Sequence, residues 1–272
     1  MFRRFFSATT IALAASLWTA VPAQAQSTPS GARAPALTEL HFGTESGYRP
    51  YEYKNAEGKL TGLDIDIGEA ICAHLKVRCR WSDMAFDQLI PAVQANKIDG
   101  ALASITITDA RKEQAEFSDR LYMKIPALIS AKSAKLRPTA PSLKGKRVGV
   151  LAGSAHEAFA LKQWKPGGVE VVTFKTQTEI YPLLVSGKLD ATLTDTVESE
   201  YAFMRTKDGA DFVQANTELA MEGVLVSGAG IGMNKANSGL HQSVNEAIRA
   251  LKKNGTLTTI IRKYVSYDIR AR

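Results

Sequence analysis

Side chains that bind soft metals are scarce in this sequence, which has two cysteines and four histidines in 272 residues. The histidines show no ligand spacing among themselves or with the cysteines, Cys72 and Cys79. Metal sites built from sulfur and imidazole need several such residues at short, regular spacing. The composition therefore predicts no bound metal.

Beyond its first 25 residues the chain has no long uncharged stretch, so no membrane-spanning helix is predicted there. The opening MFRRFFSATTIALAASLWTAVPAQAQ has two arginines, an apolar run and a small-x-small AQA, which together indicate a signal peptide over residues 1–25. An uncleaved anchor is the alternative, but Ser and Thr interrupt the apolar run. No cysteine follows this run, so we expect no lipid anchor. In an oxidising exported compartment, Cys72 and Cys79 are expected to form a disulfide.

A concentration of positive charge is also missing. The chain has 34 Lys and Arg against 27 Asp and Glu, and removal of Arg3 and Arg4 with the signal leaves 32 basic against 27 acidic residues, a charge of +5. The basic residues are scattered among acids and are not interleaved with aromatic residues, so nucleic-acid binding is not predicted.

What the chain does have is an alternation of short apolar runs with amphipathic stretches, after a Pro-, Ser-, Gly- and Ala-rich lead-in at residues 26–37 that we expect to be disordered. One series runs from LHFGT to ARKEQAEF and a second from KRVGVLAG to VESEYAFM. This order predicts an α/β fold with two lobes, each a mainly parallel sheet flanked by helices. Lobe 1 is predicted at 38–123 plus 228–272 and lobe 2 at 124–227. RLYMKIPALIS and GVLVSGAGIGM are the predicted crossing segments.

Two segments, one in each series, resemble each other. PAVQANKIDGALAS from Pro91 and PLLVSGKLDATLTD from Pro182 share Pro, Lys, Asp and Leu at identical offsets, and Ser104 and Asp195 are equivalent in that register. Duplication and a merely shared order of helix and strand explain this short match equally well. Both segments end where a strand gives way to a helix, which is where open α/β sheets bind ligands.

The stretch SITITDAR places hydroxyl groups and an arginine at such a strand end. Side-chain alternation along a strand predicts that Ser104 and Thr106 share one face, close to Arg111 at the start of the next helix. A guanidinium binds a carboxylate through two parallel hydrogen bonds. The alternative is a surface ion pair of Arg111 with Asp109 or Glu113.

In the second series, VLAGSAHEAF leads from a strand into a helix through small residues, including Ser154 and Ala155. Free backbone N–H groups at such a turn can bind an anion, although an ordinary tight turn is an equal alternative. The sequence AGSAH does not match a nucleophile elbow, so Ser154 is not predicted to be a catalytic nucleophile. Asp195, at the end of LDATLTD, either caps the following helix or binds an ammonium group across a cleft.

Aromatic residues lie near the same predicted sheet edge. FGTESGYRPYEY contains Glu45, Tyr48 and Tyr51, and Phe86 opens the next strand-to-helix junction. Such rings more often fill a core than contact a ligand. Beside one acid, however, flat rings suit a flexible apolar chain that ends in a cation.

The stretches GTESGYRPYEYKNAEGKLTGLDIDIGEAIC, FDQLIPAVQANKIDGALASITITDAR and GKRVGVLAGSAHEAF resemble the periplasmic amino-acid-binding proteins of ABC importers. The resemblance runs from about Leu40 to the last residues. It is closest to the lysine-arginine-ornithine- and histidine-binding branch, whose members also carry the paired cysteines.

This resemblance implies a monomeric, two-lobe periplasmic-binding-protein (type II) fold in the periplasm, without cofactor or catalytic residues. It would bind a basic L-amino acid and deliver it to the membrane permease subunits of an importer. The resemblance implies roles for several side chains: Arg111, Ser104 and Thr106, with the backbone at Ala155, for the α-carboxylate; Asp195 for the α-ammonium; Tyr48 and Phe86 around the aliphatic stem; Glu45 for the distal cation.

Two positions depart from the relatives that the chain resembles: Ala103, where serine is usual, and Ala155, where threonine is usual. With His156 beside them, they leave room for a different or larger ligand, such as an opine-like conjugate. The alternatives are an enzyme resembling cyclohexadienyl dehydratase, with Asp195 or His156 recruited for catalysis, and an exported sensor protein that uses the same cleft.

Overall fold

The computed structural model describes residues 37–215 and 228–270. The predicted signal peptide, residues 26–36 of the lead-in and the first part of GVLVSGAGIGM lie outside the described residues. No helix within the described ranges is both long and apolar enough to span a bilayer.

The elements follow the predicted order of alternating strands and helices. The strands are β1 (Glu39–Thr44), β2 (Gly47–Tyr48), β3 (Glu52–Lys54), β4 (Leu60–Thr61), β5 (Arg78–Asp83), β6 (Gly100–Ala101), β7 (Glu116–Phe117), β8 (Tyr122–Met123), β9 (Pro126–Ala131), β10 (Arg147–Leu151), β11 (Glu170–Phe174), β12 (Ala191–Asp195), β13 (Phe212–Ala215), β14 (Gly228–Ala229) and β15 (Gly232–Met233). The helices are α1 (Leu63–Leu75), α2 (Leu89–Gln94), α3 (Asp109–Lys112), α4 (Ala140–Leu143), α5 (Ala155–Phe159), α6 (Ile180–Val185), α7 (Thr196–Ser199), α8 (Ser238–Lys253) and α9 (Thr256–Tyr264).

Ten of the fifteen strands described above form two five-stranded sheets, which define the two lobes, and the others form a two-stranded and a three-stranded sheet. The first sheet has the order β5-β1-β6-β15-β7 and the second β11-β10-β12-β9-β13. In each sheet the first three strands are parallel, as predicted, and the other two pair antiparallel. We call the elements built on these sheets the first and second lobe.

The two predicted crossing segments lie side by side. β8, in the first segment, pairs antiparallel with β14, in the second, so that Met123 faces Gly228 and Tyr122 faces Ala229. Two connecting segments that lie side by side in this way permit the lobes to open and close about them. The exact lobe boundaries given above stay a prediction.

The two echoed segments occupy equivalent places in the two sheets. Each runs from a helix (α2 or α6) into the third, central strand of its sheet (β6 beside β1, β12 beside β10). Their shared aspartates have the same role: Asp99 Oδ2 accepts from His41 N at 2.8 Å and Asp190 Oδ2 from Arg147 N at 2.8 Å. Both segments therefore end at corresponding positions of the two lobes.

The predicted disulfide is present between Cys72 and Cys79, whose Cα atoms are 5.7 Å apart. It joins the last turn of α1 to β5. The terminal helices α8 and α9 pack with α1 in the core of the first lobe. They are separated by Gly255, whose φ of 82° is readily adopted only by glycine.

Candidate functional site

A small cavity lies between the lobes, and eight of the ten predicted ligand-binding residues line it. Its volume is about 10 Å³, roughly that of one water molecule, so a larger ligand can enter only when the walls move apart. A groove of about 900 Å³ adjoins it at Phe86, Arg111, Ser154 and Ala155. The lining consists of Tyr48, Phe86, Ala103, Ser104, Thr106, Arg111, Lys124, Leu151, Ser154, Ala155 and His156.

Arg111 reaches across the cavity from the first lobe to the second. Its backbone N–H donates to Thr108 Oγ1, the cap of α3, at 3.3 Å. The guanidinium donates to Thr106 O through Nη1 and to Gly153 O through Nη2, both at 2.8 Å. Burial lowers the pKa of Arg111 to about 10. Two of its five donor hydrogens are thus directed at backbone carbonyls.

No carboxylate in the described part of the chain forms an ion pair with Arg111, and burial is the one cause of its pKa shift. The alternative of a surface ion pair is therefore wrong: Asp109 pairs instead with Lys112 at 3.1 Å. A buried cation without a counter-ion is costly. It is the kind of group that an anionic ligand stabilises.

Ser104 and Thr106 line the cavity, but strand alternation does not place them there. Ser104 has a φ of 50°, in the left-handed region, so the alternation predicted from the sequence is wrong at this residue. Its N–H donates to Asp64 Oδ2 at 2.5 Å and its carbonyl accepts from Lys124 Nζ at 2.8 Å. These contacts hold the residue in this conformation.

Asp195 ends β12 in the second lobe and caps α7. Its Oδ1 accepts from Val197 N at 3.0 Å and Glu198 N at 3.4 Å, and also from Tyr51 of the first lobe at 3.0 Å. The side chain is fully buried, and Oδ2 has no hydrogen-bond partner among the described residues. Burial raises the pKa of Asp195, and the charge of Lys124 opposes this shift. Capping by Oδ1 thus leaves the second oxygen available.

In the turn before α5, side chains of the same segment accept hydrogen bonds from backbone N–H groups. Ser154 Oγ accepts from Glu157 N at 3.0 Å, and Gly153 N donates to Glu157 Oε2 at 2.7 Å. Gly153 has a φ of 68°, and a Cβ there would lie 2.9 Å from Asp87 Cα of the first lobe. Glycine is therefore required for the two lobes to approach this closely.

Glu45 lies outside the cavity lining, at the end of β1, and is only 4% exposed. Its Oε2 has no hydrogen-bond partner in residues 37–215 and 228–270. Burial raises its pKa to about 7, with further increases from Asp83 and Glu179. A cation near Glu45 would favour the ionised form.

Two aromatic rings, those of Tyr48 and Phe86, line the cavity. Tyr48 stacks on Tyr51 at 5.9 Å between ring centroids, and Tyr51 stacks on Tyr122 at 5.2 Å. Phe86 lies 5.4 Å from the guanidinium carbon of Arg111. Tyr48 also bonds to Thr194 of the second lobe at 3.2 Å.

Sequence reasoning missed Lys124, which lies between β8 and β9. It is 5% exposed, and its Nζ lies 5.2 Å from the ring centroid of Tyr48. The available signal was a lone lysine in YMKIPALIS, an otherwise apolar segment already predicted to cross between the lobes.

The described residues hold no cluster of three or more His, Cys, Asp or Glu side chains suited to a metal ion. The side chains that converge between the lobes are hydrogen-bonding, aromatic and singly charged groups. This chemistry suits a small zwitterion with an apolar stem.

A family model described as bacterial extracellular solute-binding proteins, family 3, matches residues 40–267. The lysine/arginine/ornithine-binding periplasmic protein of Escherichia coli K12 is 38% identical over 235 residues, which cover 86% of this chain and 90% of the relative. The histidine-binding periplasmic protein of Salmonella typhimurium LT2 is 35% identical over 231 residues, which cover 85% and 89%.

A solved structure, an ancestral arginine-binding protein bound to arginine, matches with a TM-score of 0.78 and 35% identity. The match covers 84% of this chain and 99% of that protein. The family model, the relatives and this solved structure thus support the same family and fold over most of the chain.

Proposed function

The chain belongs to the bacterial extracellular solute-binding proteins, family 3, and we propose that it is the periplasmic component of an ABC importer that binds a basic L-amino acid between its lobes. The observation that carries this proposal is the placement of opposite charges with spare bonding capacity on opposite lobes. Arg111 extends from the first lobe without a carboxylate partner in the described residues. Asp195 ends β12 of the second lobe with a buried, unpartnered Oδ2.

In this proposal, Arg111 binds the ligand's α-carboxylate with Ser104, Thr106 and the backbone at Ala155. Two of the guanidinium donors are aimed at backbone carbonyls, which leaves the others for the ligand. A charge-assisted hydrogen bond contributes about 1.5–3 kcal/mol, and micromolar affinity needs about 8 kcal/mol in all. A few such contacts are therefore sufficient.

Asp195 would bind the α-ammonium, and Glu45 would bind the distal cation of the ligand. Each has one buried oxygen without a partner among the described residues. Tyr48 and Phe86 would contact the aliphatic stem, while Ala103 and Ser154 complete the wall around it. Because the carboxylate contacts and the ammonium contacts come from different lobes, the ligand binds the closed form better and shifts the population toward it.

Three hydrogen bonds between the lobes support such closure. Each of them includes one residue that would bind the ligand (Arg111, Tyr48 or Asp195), so opening the cleft frees that residue. The bonds are Arg111 to Gly153 O, Tyr48 to Thr194 Oγ1, and Tyr51 to Asp195 Oδ1.

We further propose that the protein acts as a monomer, delivers its ligand to membrane permease subunits, is exported by a cleaved signal peptide, and does not catalyse a reaction. The relatives are named as binding proteins. The lining of the cavity contains no carboxylate among the described residues, so a carboxyl group acting as general acid would have to come from beyond it. Incubation with prephenate or arogenate is expected to yield no product, and turnover of either would favour the dehydratase-like alternative.

A thermal-shift screen of the common L-amino acids and ornithine, followed by calorimetry, tests the proposed function. We expect arginine, lysine, ornithine or histidine to give the largest rise in Tm, because a ligand that binds the native state stabilises it by mass action. A screen in which only acidic or apolar amino acids raise Tm would contradict the proposal.

Glu45→Gln is expected to weaken binding of arginine and lysine about 10- to 100-fold, which is the value of one charge-assisted hydrogen bond, with little change for glutamine. The wild-type affinity for arginine should also rise with pH. Below the pKa of about 7, Glu45 must lose a proton before it can pair with a cation. Calorimetric titrations between pH 5.5 and 8 measure both effects.

Glu179→Gln is the matched control, because Glu179 is an exposed acid whose charge also acts on Glu45. The affinities of Glu179→Gln for arginine, lysine and glutamine should change little. Two results would exclude Glu45 as the acid that selects basic ligands. One is an equal loss of affinity for arginine and glutamine in Glu45→Gln, and the other is an affinity for arginine that still rises with pH in Glu45→Gln.

A further inference from the structure

Asp64 is a fully buried carboxylate that has no role in the proposed function. It lies in the first turn of α1. Its Oδ2 accepts from Ser104 N at 2.5 Å, and its Oδ1 accepts from Tyr122 Oη at 2.6 Å. Ser104 is one of the residues proposed to bind the ligand's α-carboxylate, and Tyr122 belongs to β8, in the first crossing segment. Asp64 thus connects a residue of the site with the connection between the lobes.

The neighbours of Asp64 keep its side chain ionised at neutral pH. Burial raises the pKa of Asp64 to about 6, against hydrogen bonds from Tyr122, Ser104 and Glu52. Burial and the charge of Asp64 raise the pKa of Glu52 well above its usual range. Because two carboxyl groups share a hydrogen bond only when one of them carries a proton, Glu52 carries it and donates to Asp64. Asp64 is therefore a pure acceptor.

The Ser104 N–H that Asp64 accepts belongs to a turn on which the site depends. Ser104 has a φ of 50°, which is unfavourable for a residue with a Cβ. Before this residue, the chain follows β6 in the first sheet; after it, Ile107 N donates to Gly228 O at 3.0 Å, in the second crossing segment. Thr106 O, which accepts from Arg111, lies just beyond the turn. A different φ at Ser104 would displace the carbonyl that positions the guanidinium.

We infer that Asp64 is a positioning residue for ligand binding: by accepting the Ser104 N–H, it holds the turn at Ser104 in the left-handed conformation before the ligand binds. This inference rests on the proposed function. Without that hydrogen bond, only a fraction of the protein would have the competent turn, and the apparent affinity would fall by that fraction. The cost of the left-handed conformation to a residue with a Cβ corresponds to about 5- to 30-fold in affinity.

Substitutions of Ser104 distinguish this role from a general effect on stability, because glycine adopts a positive φ at little cost. Ser104→Gly and Ser104→Ala both remove the hydroxyl group, but only alanine retains the conformational cost. With Asp64 present, the two variants should bind L-arginine within about threefold of each other. In the Asp64→Ala background, Ser104→Gly should bind about 5- to 30-fold more tightly than Ser104→Ala, as measured by calorimetry.

Asp66→Ala is the matched control. Asp66 lies in the same turn of α1 and also accepts two hydrogen bonds, from Lys263 Nζ at 2.7 Å and Tyr264 Oη at 2.8 Å, but neither partner belongs to the proposed site. In this background the two variants of Ser104 should again differ by no more than about threefold. If their affinities have the same ratio in the Asp64→Ala and Asp66→Ala backgrounds, Asp64 only stabilises the fold. The inference is then wrong, while arginine binding by the wild type leaves the proposed function standing.

Nuclear magnetic resonance of the wild type provides a test that does not require Asp64→Ala to fold. In the ligand-free protein, the amide proton of Ser104 should exchange slowly with solvent and lie close to the Hα of the same residue, as a positive φ requires. A negative φ that becomes positive only when L-arginine binds would overturn the inference. If the wild type binds neither arginine nor any other amino acid, the proposed function itself has failed, and the inference fails with it.

Discussion

Arg111→Ala is expected to weaken binding of every L-amino acid by at least 100-fold. The guanidinium is a half-buried cation of the first lobe, and it has no acidic partner in the described residues. Two charge-assisted hydrogen bonds to a carboxylate contribute about 3–6 kcal/mol, which corresponds to about 100- to 10,000-fold in affinity. Arg111→Lys should recover only part of this loss, because an ammonium cannot form the paired geometry.

Two measurements separate a loss of binding from a loss of folding in Arg111→Ala. The ligand-free variant should unfold at a Tm close to that of the wild type, because the lost bonds to Thr106 and Gly153 are offset by removal of a buried charge. Lys112→Ala, which changes the neighbouring exposed cation, should bind normally. Near-normal affinity in Arg111→Ala would remove Arg111 from the site.

Asp195→Asn is also expected to weaken binding, by at least 100-fold for every amino acid with a free α-ammonium. Asparagine keeps an oxygen that can accept from Val197 N and Glu198 N, so the cap of α7 is retained. The negative charge that would pair with the ammonium is lost. Calorimetry with arginine, lysine and glutamine measures the effect.

Comparison with Asp195→Ala separates the effect of the lost charge from the effect of the lost helix cap. It also removes the cap, which costs about 0.5–2 kcal/mol of stability, whereas Asp195→Asn should cost less. The two variants should therefore differ in denaturant midpoint but lose binding alike. If Asp195→Asn retains near-normal affinity, the role of Asp195 is limited to capping.

The order of elements was predictable because it depends on local patterns. The alternation of apolar runs and amphipathic stretches gave both lobes, and the shared offsets of Asp99 and Asp190 gave corresponding turns in the two sheets. The pairing of Cys72 with Cys79 followed from the exported compartment and short spacing. The hydroxyl of Thr108 caps α3, a role that threonine directly before a helix commonly has.

The finer structure of the site was not predictable, because it depends on contacts between distant parts of the chain. Ser104 has a left-handed backbone held by Asp64 and Lys124, which lie 40 and 20 residues away. Strand alternation considers only neighbours, so it named two residues that do line the cavity but gave an incorrect reason for their position. The position of Lys124 in the cavity lining was missed for the same reason, because its burial depends on the packing of the two lobes.

The most direct test of the account is the affinity of L-arginine relative to agmatine, which lacks the carboxylate, in the wild type and in Arg111→Ala. The account requires that Arg111 binds the α-carboxylate. The wild type should therefore prefer arginine by at least 100-fold, and the preference should fall to within a few-fold in the variant, because the group that reads the carboxylate is gone. A preference of the same size in both proteins would contradict the account.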